Sequence, residues 1–453
     1  MTPNILLFVC DDLRWNALSG MGHPQVKTPH LDRLMEAGTT FSRCYIPGSL
    51  VPAVCMPSRA MLHTGRQLFN ISGSGEDIPD DHASLGACLG EKGYDTFHTG
   101  KWHNGRRCFN NHFKDGEAVF FGGMDDQWNM PLNHYDKTGK YGNRLPYVLD
   151  PKHESVVRYR QCDYTSGGRH ATDVFADTAC EFLEGRKDGD PPFFLSVALT
   201  APHDPRNTLE EFHSMYPAET IPLPGNFLSQ HPLDTGELRV RDEMLAEIPR
   251  NPSEVRQHIA DYYAMTSHLD DAFGRVHDTL EKAGLAESTL IIFTSDHGLS
   301  VGQHGLMGKQ NLYDHSLRVP LVMAGPGLQK GARINELVCH FDLFQTLCEL
   351  TDHETPCGLD SRSLIPVMEG KPGRNELYLA YGSTIRGLLQ GHWKLIEYAS
   401  PGYRGTQLFD LESDPMETFD QSRNPDQVPR LKDMRARLKE LAVTCSDNGF
   451  LSL

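Results

Sequence analysis

Short apolar runs recur along the chain, and each of them ends in residues with polar or charged side chains. The runs at 5–9, 193–199 and 290–293 are too short for helices. Uninterrupted hydrophobicity over that length is typical of strands buried on both faces of a parallel sheet. From Pro252 to Gly284 apolar residues recur at helical spacing, which predicts a long helix. Strands that alternate with helices in this way indicate an α/β protein.

The pattern changes at about residue 376, where short strands separated by proline or glycine replace the earlier alternation. We therefore predict two domains, a larger one over 1–375 and an antiparallel-sheet subdomain over 376–453. Two stretches of the larger domain, 104–165 and 205–252, show little periodicity and are predicted to be long surface excursions. The subdomain is predicted to contain strands at 377–381, 384–389, 393–398 and 407–411 and a closing helix at 428–441.

Acidic residues follow two of the predicted strands. Asp11 and Asp12 come after the first strand, and Asp296 and His297 come after the strand at 290–294. Open α/β sheets bind ligands at the carboxyl ends of their strands, so these four residues are expected to meet at one edge if both strands belong to one parallel sheet. An Asx turn or a helix cap would explain the Asp-Asp pair equally well when it is taken alone.

Basic residues mark three further places. Lys101 and His103 follow a predicted strand at 94–98, where a solvated edge would also explain them. His203 lies between two prolines after the strand at 193–199, and that stiff loop favours a functional histidine over a structural one. Lys309 lies in a glycine-rich loop.

The most specific pattern begins at Cys55, in the run Cys-Met-Pro-Ser-Arg followed by Leu-His-Thr-Gly-Arg and ending at Arg66. A lone buried cysteine is usually inert, but the whole run resembles the maturation signature of the type I sulfatases of the alkaline phosphatase superfamily. The Asp-Asp pair, Lys-x-His, the proline-flanked histidine, Asp-His-Gly and Gly-Lys-x-x-Leu-Tyr also stand in the order of that family. The resemblance therefore extends over nearly the whole chain.

The resemblance implies the fold and the reaction. The implied fold is α/β, with a large mixed, mostly parallel sheet sandwiched by helices and a smaller C-terminal antiparallel-sheet subdomain. Cys55 would be oxidised to formylglycine by a formylglycine-generating, sulfatase-maturating enzyme, and the aldehyde hydrate would attack the sulfur of a sulfate ester. A thiol would serve poorly here, because its adduct could not easily expel sulfate. The activity implied is that of a sulfuric ester hydrolase.

The resemblance also implies a metal site. Its ligands would be Asp11, Asp12, Cys55 as formylglycine, Asp296 and His297, which would hold one divalent cation. Calcium is the first choice because it prefers oxygen ligands, and the imidazole leaves magnesium or manganese open.

Catalytic roles follow in the same way for the other motif residues. Arg59 and Lys101 would stabilise the modified residue and the charged group. His103 would take the proton from the second hydroxyl of the hydrate. His203 and Lys309 would flank the bridging oxygen, with His203 as the general acid.

The composition of the chain argues against several classes of binding partner and site. The net charge of −17 argues against nucleic acid, whose binding depends on basic patches. No apolar run approaches the roughly 20 residues of a membrane helix. The eleven cysteines include no Cys-x-x-Cys pair, which argues against a thiolate zinc site. No export signal is visible, so the protein is expected to be cytoplasmic, or exported with a signal peptide that this sequence lacks.

Two other functions stay open at this point. A phosphonate monoester or phosphodiester hydrolase of the same superfamily would share the fold and the formylglycine. A non-catalytic protein that binds sulfated glycans would keep the pocket without turnover. For the sulfatase, the two long excursions favour a sulfated carbohydrate, whose rings they could contact, over a small-molecule sulfate ester.

Overall fold

Strands and helices alternate along most of the chain in the computed structural model, which describes residues 2–150, 152–447 and 449. The strands, numbered in chain order, are β1 (Asn4–Cys10), β2 (Thr39–Tyr45), β3 (Gly48–Ser49), β4 (Asp95–Lys101), β5 (Asp115–Phe120), β6 (Pro131–Leu132), β7 (Leu145–Val148), β8 (Val157–Arg160), β9 (Tyr164–Thr165), β10 (Phe193–Ala198), β11 (Thr289–Ser295), β12 (Arg318–Ala324), β13 (Ala332–Cys339), β14 (Glu376–Tyr381), β15 (Ile385–Gln390), β16 (Trp393–Ser400) and β17 (Tyr403–Asp410). The helices are α1 (Pro29–Ala37), α2 (Cys55–Thr64), α3 (Leu85–Glu91), α4 (Phe109–His112), α5 (Ala171–Glu184), α6 (Glu210–His213), α7 (Pro252–Lys282), α8 (Asp314–Leu317), α9 (Leu343–Leu350), α10 (Ile365–Met368) and α11 (Val428–Thr444).

The central sheet has eight strands in the order β13-β2-β12-β11-β1-β10-β4-β5. Strand β12 runs antiparallel to both of its neighbours, and the other pairings are parallel. This confirms the predicted α/β class with a large mixed, mostly parallel sheet. The edge strand β5 lies in the stretch 104–165, where the sequence predicts a loop-rich excursion. Its first residues, Asp115, Gly116 and Glu117, are poor strand formers, which hides the strand from pattern analysis.

The first strand shows why the centre of this sheet requires a continuous apolar run. Ile5, Leu7 and Val9 belong to one hydrophobic core, which they share with α2 and α9. Leu6 and Phe8 belong to another, which they share with α5 and α7. Since successive side chains of a strand point to opposite faces, a strand that helices cover on both faces must be apolar at every position.

The helix α7 supports the second core. It is 31 residues long, and the side chain of Asn251 caps its N-terminus by accepting from the N–H of Ser253, while Pro252 takes the first position. Its length and start agree with the helix predicted from the sequence. It is amphipathic, and no helix in the described part of the chain is both long and apolar enough to cross a bilayer.

A second sheet follows the order β17-β16-β15-β14-β3, with antiparallel pairing among its C-terminal strands. One face, with Leu379 and Ile396, packs against the larger core, and the other face, with Leu388 and Leu395, packs under α11. This confirms the smaller antiparallel-sheet part at the C-terminus. Strand β3 comes from the earlier part of the chain and pairs in parallel with β14, so the domain boundary at residue 375 stays a prediction.

A buried cluster of charges joins the second sheet to the rest of the fold. Lys394 on β16 contacts Asp314, and its Nζ lies 2.7 Å from Oε1 of Glu417. The hydroxyl of Tyr45 on β2 donates to Oδ2 of Asp314 at 2.8 Å. All four side chains are buried. Removing one member of such a cluster leaves the opposite charge buried without compensation.

We therefore expect Lys394→Met to lower the free energy of unfolding by about 3–5 kcal/mol, measured by chemical denaturation. Lys371→Met is the matched control, because the side chain of Lys371 is 66% exposed, and its stability should equal that of the unchanged protein. Equal stability of the two variants would contradict the account of this cluster.

Candidate active site

The Cys55 motif forms the buried helix α2. Cys55 is the first residue of the helix, and Ser58 and Arg59 are also buried. The helix ends at Gly65, whose φ is 64°; a Cβ at this position would lie 2.9 Å from Cγ of Phe344. Glycine is required here because the backbone is left-handed and the space is already filled. The motif thus places Cys55 at a helix N-terminus, where backbone N–H groups favour negative charge.

Three carboxylates and one imidazole surround Cys55. Asp11 and Asp12 come from the end of β1, and Asp296 and His297 come from the end of β11, which pairs with β1 in parallel. One ligand atom each of Asp11, Cys55, Asp296 and His297 lies within 4.8 Å of the others. Nδ1 of His297 also lies 3.2 Å from Oδ1 of Asp12. The structure therefore brings all of the predicted metal-ligand residues together.

The same cluster contains ligand atoms that make no hydrogen bond. Oδ1 of Asp11, Oδ2 of Asp12 and Nε2 of His297 are buried and have no hydrogen-bond partner among the described residues. Leaving such atoms unpaired is costly, so each of them calls for an explanation, and a bound ion is one. Carboxylate oxygens together with a single imidazole nitrogen fit a divalent cation.

Two lysines lie against the carboxylates. Lys101, at the end of β4, contacts Asp11, and its Nζ lies 3.5 Å from Sγ of Cys55. Nζ of Lys309 lies 2.8 Å from Oδ1 of Asp12. Both lysines are buried, so their charges act on the cluster with little screening by solvent.

Arg59 crosses the site one helical turn after Cys55. Its Nε donates to Oδ2 of Asp296 at 2.9 Å, and its Nη1 donates to the backbone oxygen of Lys101 at 2.8 Å. Its Nη2 is buried and has no partner. The guanidinium is thus fixed in place by two hydrogen bonds and keeps one donor group free for an oxyanion.

These charges determine the protonation of the cluster. Burial raises the pKa of the Cys55 thiol, but Lys101 and then Lys309 outweigh burial and hold that pKa well below its ordinary value. Burial lowers the pKa of His297, but Asp296, Cys55 and Asp12 together outweigh it and raise the pKa to about 9. The surroundings of residue 55 therefore favour a negative charge on its side chain.

Two site residues have a strained backbone. The φ of Asp12 is 68° and that of His103 is 66°, which is uncommon outside glycine. Such strain persists where neighbouring groups hold it. For Asp12, the neighbour is Tyr262 of α7, whose hydroxyl donates to the Asp12 backbone oxygen at 2.8 Å and accepts from the N–H of Arg14 at 2.9 Å. Sequence reasoning missed this tyrosine, because nothing in the helical pattern separates it from core residues.

The imidazole of His103 packs against Gly123, with Cε1 and Nε2 nearest. A Cβ at Gly123 would lie 2.8 Å from both Cε1 and Nε2 of the ring. Burial lowers the pKa of His103 from 6.5, although the Cys55 side chain acts in the opposite direction. The ring is therefore neutral near pH 7 and can accept a proton.

The side chain of His203 is oriented by its neighbour in sequence. Nδ1 of His203 lies 2.8 Å from the backbone oxygen of Asp204 and 3.3 Å from its Oδ1. A backbone oxygen only accepts, so Nδ1 carries a proton. Nε2 is left to face Oδ2 of Asp12 at 3.9 Å.

Asp204, Arg241 and Asp242 lie next to His203 and Lys309. The sequence did not identify these three as site residues. Arg241 forms a two-armed ion pair with Asp204 and also lies 3.0 Å from Oδ1 of Asp242. Oδ2 of Asp242 lies 3.9 Å from Nζ of Lys309. Arg241 and Asp242 come from the stretch 205–252, which carries no recognisable motif. The excursion thus positions both His203 and Lys309.

A cavity of about 260 Å³ adjoins these groups. Four of the six predicted catalytic residues, Cys55, His103, His203 and Lys309, contribute to its wall. Arg59 and Lys101 do not line it and contact the metal-ligand cluster instead. The full lining is Pro52, Ala53, Cys55, His103, Gly123, Met124, His203, Val240, Arg241, Asp242, Lys309 and Gln310.

Comparison with known proteins identifies the family. The family model described as sulfatase matches residues 3–353, and a model described as the C-terminal part of N-sulphoglucosamine sulphohydrolase matches residues 302–444. The chain belongs to the sulfatase family, and it is therefore classed with the sulfuric ester hydrolases. Members of this family generally use a metal ion and a formylglycine.

Two curated relatives and one solved structure are similar to the chain. The ulvan-active sulfatase of Formosa agariphila is 28% identical over 80% of this chain and 64% of its own length. The multifunctional alkaline phosphatase superfamily protein PehA of Trinickia caryophylli is 31% identical over 83% of this chain and 80% of its own. The phosphonate monoester hydrolase of Agrobacterium radiobacter has a TM-score of 0.74 at 21% identity and covers 98% of this chain and 96% of its own. At that identity the last likeness shows the fold alone.

We expect Gly123→Ala to lower kcat for an aryl sulfate by about 100-fold or more, because the added methyl group displaces His103 and proton transfer contributes about 10²–10⁴. The effect on kcat/KM should be smaller, because the expected proton transfer to His103 follows the breakage of the ester bond. Steady-state kinetics measure the loss, and calorimetry checks that the variant is folded. Gly142→Ala is the matched control, since a Cβ at Gly142 would meet no described atom within 4 Å. An unchanged kcat in Gly123→Ala would contradict the role of His103.

Proposed function

We propose that this protein hydrolyses a sulfate monoester of a carbohydrate, with formylglycine at position 55 and one divalent cation. The observation that carries the proposal is the convergence of three buried carboxylates, His297 and three buried basic side chains on Cys55. Opposite charges at this density have little structural value by themselves, because burying each ion costs several kcal/mol. They suit a reaction in which an anion is bound and charge moves.

The divalent cation would be held by Asp11, Asp12, Asp296, His297 and residue 55. When bound, it supplies positive charge that activates an oxygen nucleophile and offsets the charge of the sulfate. Calcium fits best, because most of these ligands are carboxylate oxygens, and the same oxygens would also accept magnesium or manganese. When residue 55 carries the aldehyde, its hydrate supplies that nucleophile.

The basic side chains would bind the sulfate. The free Nη2 of Arg59 is a donor that no protein group uses, and Lys101 and Lys309 place their ammonium groups beside residue 55 and Asp12. Donors fixed before the substrate arrives stabilise charge without reorganising during the reaction.

Two histidines would handle the protons. His103 is neutral and lines the cavity next to residue 55, so it would accept the proton that must leave the second hydroxyl before sulfate is released. His203 would donate a proton from Nε2 to the departing alkoxide, with Nδ1 held by Asp204. Both rings line the same cavity, so both could reach a bound ester.

The maturation enzyme is a proposed partner, and the burial of α2 constrains when it acts. Cys55, Pro57, Ser58 and Arg59 are all buried in the folded chain. An enzyme that reads these side chains cannot reach them there. Conversion of Cys55 would therefore precede folding.

For the substrate, the size of the cavity favours one sulfated ring. About 260 Å³ lies just below the range of ligand pockets, which begins at about 300 Å³. A sulfate group and one sugar would fill it, and the similarity to an ulvan-active sulfatase supports a carbohydrate. A phosphonate monoester or phosphodiester remains the second candidate, because the 31% identical relative is a multifunctional member of the superfamily.

Kinetics on matched esters test the proposal. We expect kcat/KM to be highest on sulfated mono- and oligosaccharides, lower on small aryl or choline sulfates, and lowest on an aryl phosphonate monoester and an aryl phosphodiester. A large preference for the phosphorus esters would favour the second candidate, and activity confined to small sulfate esters would refute the carbohydrate.

Chelation tests the metal site. We expect elemental analysis of the purified protein to give one divalent cation per chain and EDTA to abolish turnover and lower Tm. Asp296→Asn should lose at least about tenfold in cation affinity, since it removes a charged ligand. Asp190→Asn, at an exposed position, is the control. Full activity in EDTA at undetectable metal content would contradict the site.

Removing the proposed general acid should matter most for poor leaving groups. We expect His203→Ala to lose about 10²–10⁴ in kcat on an alkyl or sugar sulfate and much less on 4-nitrophenyl sulfate, whose leaving group needs no proton. Asp204→Asn should also lose more kcat on the alkyl or sugar sulfate than on 4-nitrophenyl sulfate, but by a smaller factor. His213→Ala, on α6, should leave the ratio of the two kcat values unchanged. Equal losses on both substrates would exclude proton donation by His203.

A further inference from the structure

A second cavity lies outside the active site, between α3 and the segment that follows α9. Its volume is about 560 Å³, and Cys88, His353 and Cys357 contribute to its wall. Four carboxylates, those of Asp80, Asp81, Glu91 and Glu354, also line it. None of these residues takes part in the mechanism described above. We call this space the α3 groove.

The wall of the α3 groove contains a cluster of two thiols and an imidazole. Cys88 on α3 contacts both Cys348, near the end of α9, and the imidazole of His353. The backbone N–H of His353 donates to the backbone oxygen of Cys348 at 2.8 Å, which holds His353 close to the end of α9. Cys88 is 6% exposed and Cys348 1%, so Cys88 is the thiol that the groove reaches.

This environment differs from that of the other cysteines. The Cys348 thiol, and after it His353, lower the pKa of Cys88 against the effect of burial, while the pKa of Cys348 is raised. Cys44 and Cys339 are also neighbours, yet burial raises the pKa of both. Among thiols of the described residues whose pKa is shifted, only Cys55 and Cys88 are shifted downward. A thiolate is the reactive form of cysteine.

We propose that Cys88 and Cys348 form a redox-sensitive site, in which a hydroperoxide oxidises Cys88 and Cys348 then closes a disulfide. In the first step the Cys88 thiolate attacks the terminal peroxide oxygen, the O–O bond breaks, and sulfur becomes sulfenic acid. Hydroxide leaves from hydrogen peroxide, and an alkoxide leaves from an organic hydroperoxide. In the second step the Cys348 sulfur attacks the Cys88 sulfur, an S–S bond forms, and water leaves. His353 takes the proton of Cys348 and returns it to the departing oxygen. Two thiols and one hydroperoxide thus give one disulfide, water and the corresponding alcohol or a second water.

The acidic wall of the α3 groove selects among oxidants. A small neutral hydroperoxide enters freely, whereas four carboxylates repel an anionic disulfide. The disulfide would link α3 to α9, and both helices pack against α2, the helix that begins at Cys55. The disulfide would therefore stabilise the packing of α3 and α9 against α2 without contacting any catalytic group.

Peptide mapping of the full-length protein tests this proposal independently of turnover. The folded protein is treated with hydrogen peroxide, denatured with an alkylating reagent and no reductant, and digested. We expect the peptides of Cys88 and Cys348 to be joined and two hydrogens lighter than their sum, and dithiothreitol to separate them. In Cys348→Ser, dimedone should label Cys88, because the Cys348 thiol that would react with the sulfenic acid is absent. The oxidised protein should also have a higher Tm.

The controls use thiols of the same chain. Cys357→Ser should leave the linked peptide unchanged, because Cys357 is exposed in the same groove but is not part of the pair. Cys88→Ser should abolish it. In the unmutated, folded protein, which avoids any folding defect, iodoacetamide should label Cys88 at least about tenfold faster than Cys44. Oxidation of Cys357 while Cys88 stays free, or labelling of Cys88 no faster than Cys44, would overturn the proposal.

Discussion

Three carboxylates buried within a few ångströms of one another impose the constraint on which the rest of this structure depends. Each desolvated charge costs several kcal/mol unless it is paired, so Asp11, Asp12 and Asp296 require opposite charges in fixed positions. Lys101, Lys309 and Arg59 supply them. Every one of these side chains is anchored at the end of a central strand, in the buried helix α2 or in the loop after β11. The mostly parallel sheet thus brings the ends of its central strands, and the charged residues that follow them, to one place.

The same constraint explains how an acidic protein can bind an anion. The net charge of −17 is spread over the surface, where solvent and salt screen it within roughly 8 Å. The charges next to residue 55 are buried, and Lys101, Lys309 and Arg59 are paired there with Asp11, Asp12 and Asp296. Local arrangement, not total charge, determines what the site binds.

The sequence was sufficient for the strand ends and the motif residues, because buried strands have an unmistakable pattern and parallel pairing places their ends together. It did not reveal the residues that orient them. Arg241 and Asp242 lie in a motif-free excursion, and Tyr262 lies on an ordinary amphipathic helix. Asp204 directly follows His203, but its ion pair with Arg241 is visible only in the folded chain. The sequence pattern did not predict strand β5, because its first residues favour turns. It did not predict β3, because a strand of two residues shows no periodicity. The sequence pattern therefore identifies the candidate site residues, and tertiary structure is needed to identify the residues that orient them.

The claim that the cluster exists to serve a modified residue 55 can be tested by mass spectrometry of the peptide that contains Cys55, taken from preparations of differing activity. The account predicts a peptide lighter by the exchange of H₂S for O, in a fraction that rises in proportion to sulfate ester hydrolysis. Full hydrolytic activity with Cys55 unmodified would contradict it, and so would complete conversion without any hydrolysis of a sulfate ester.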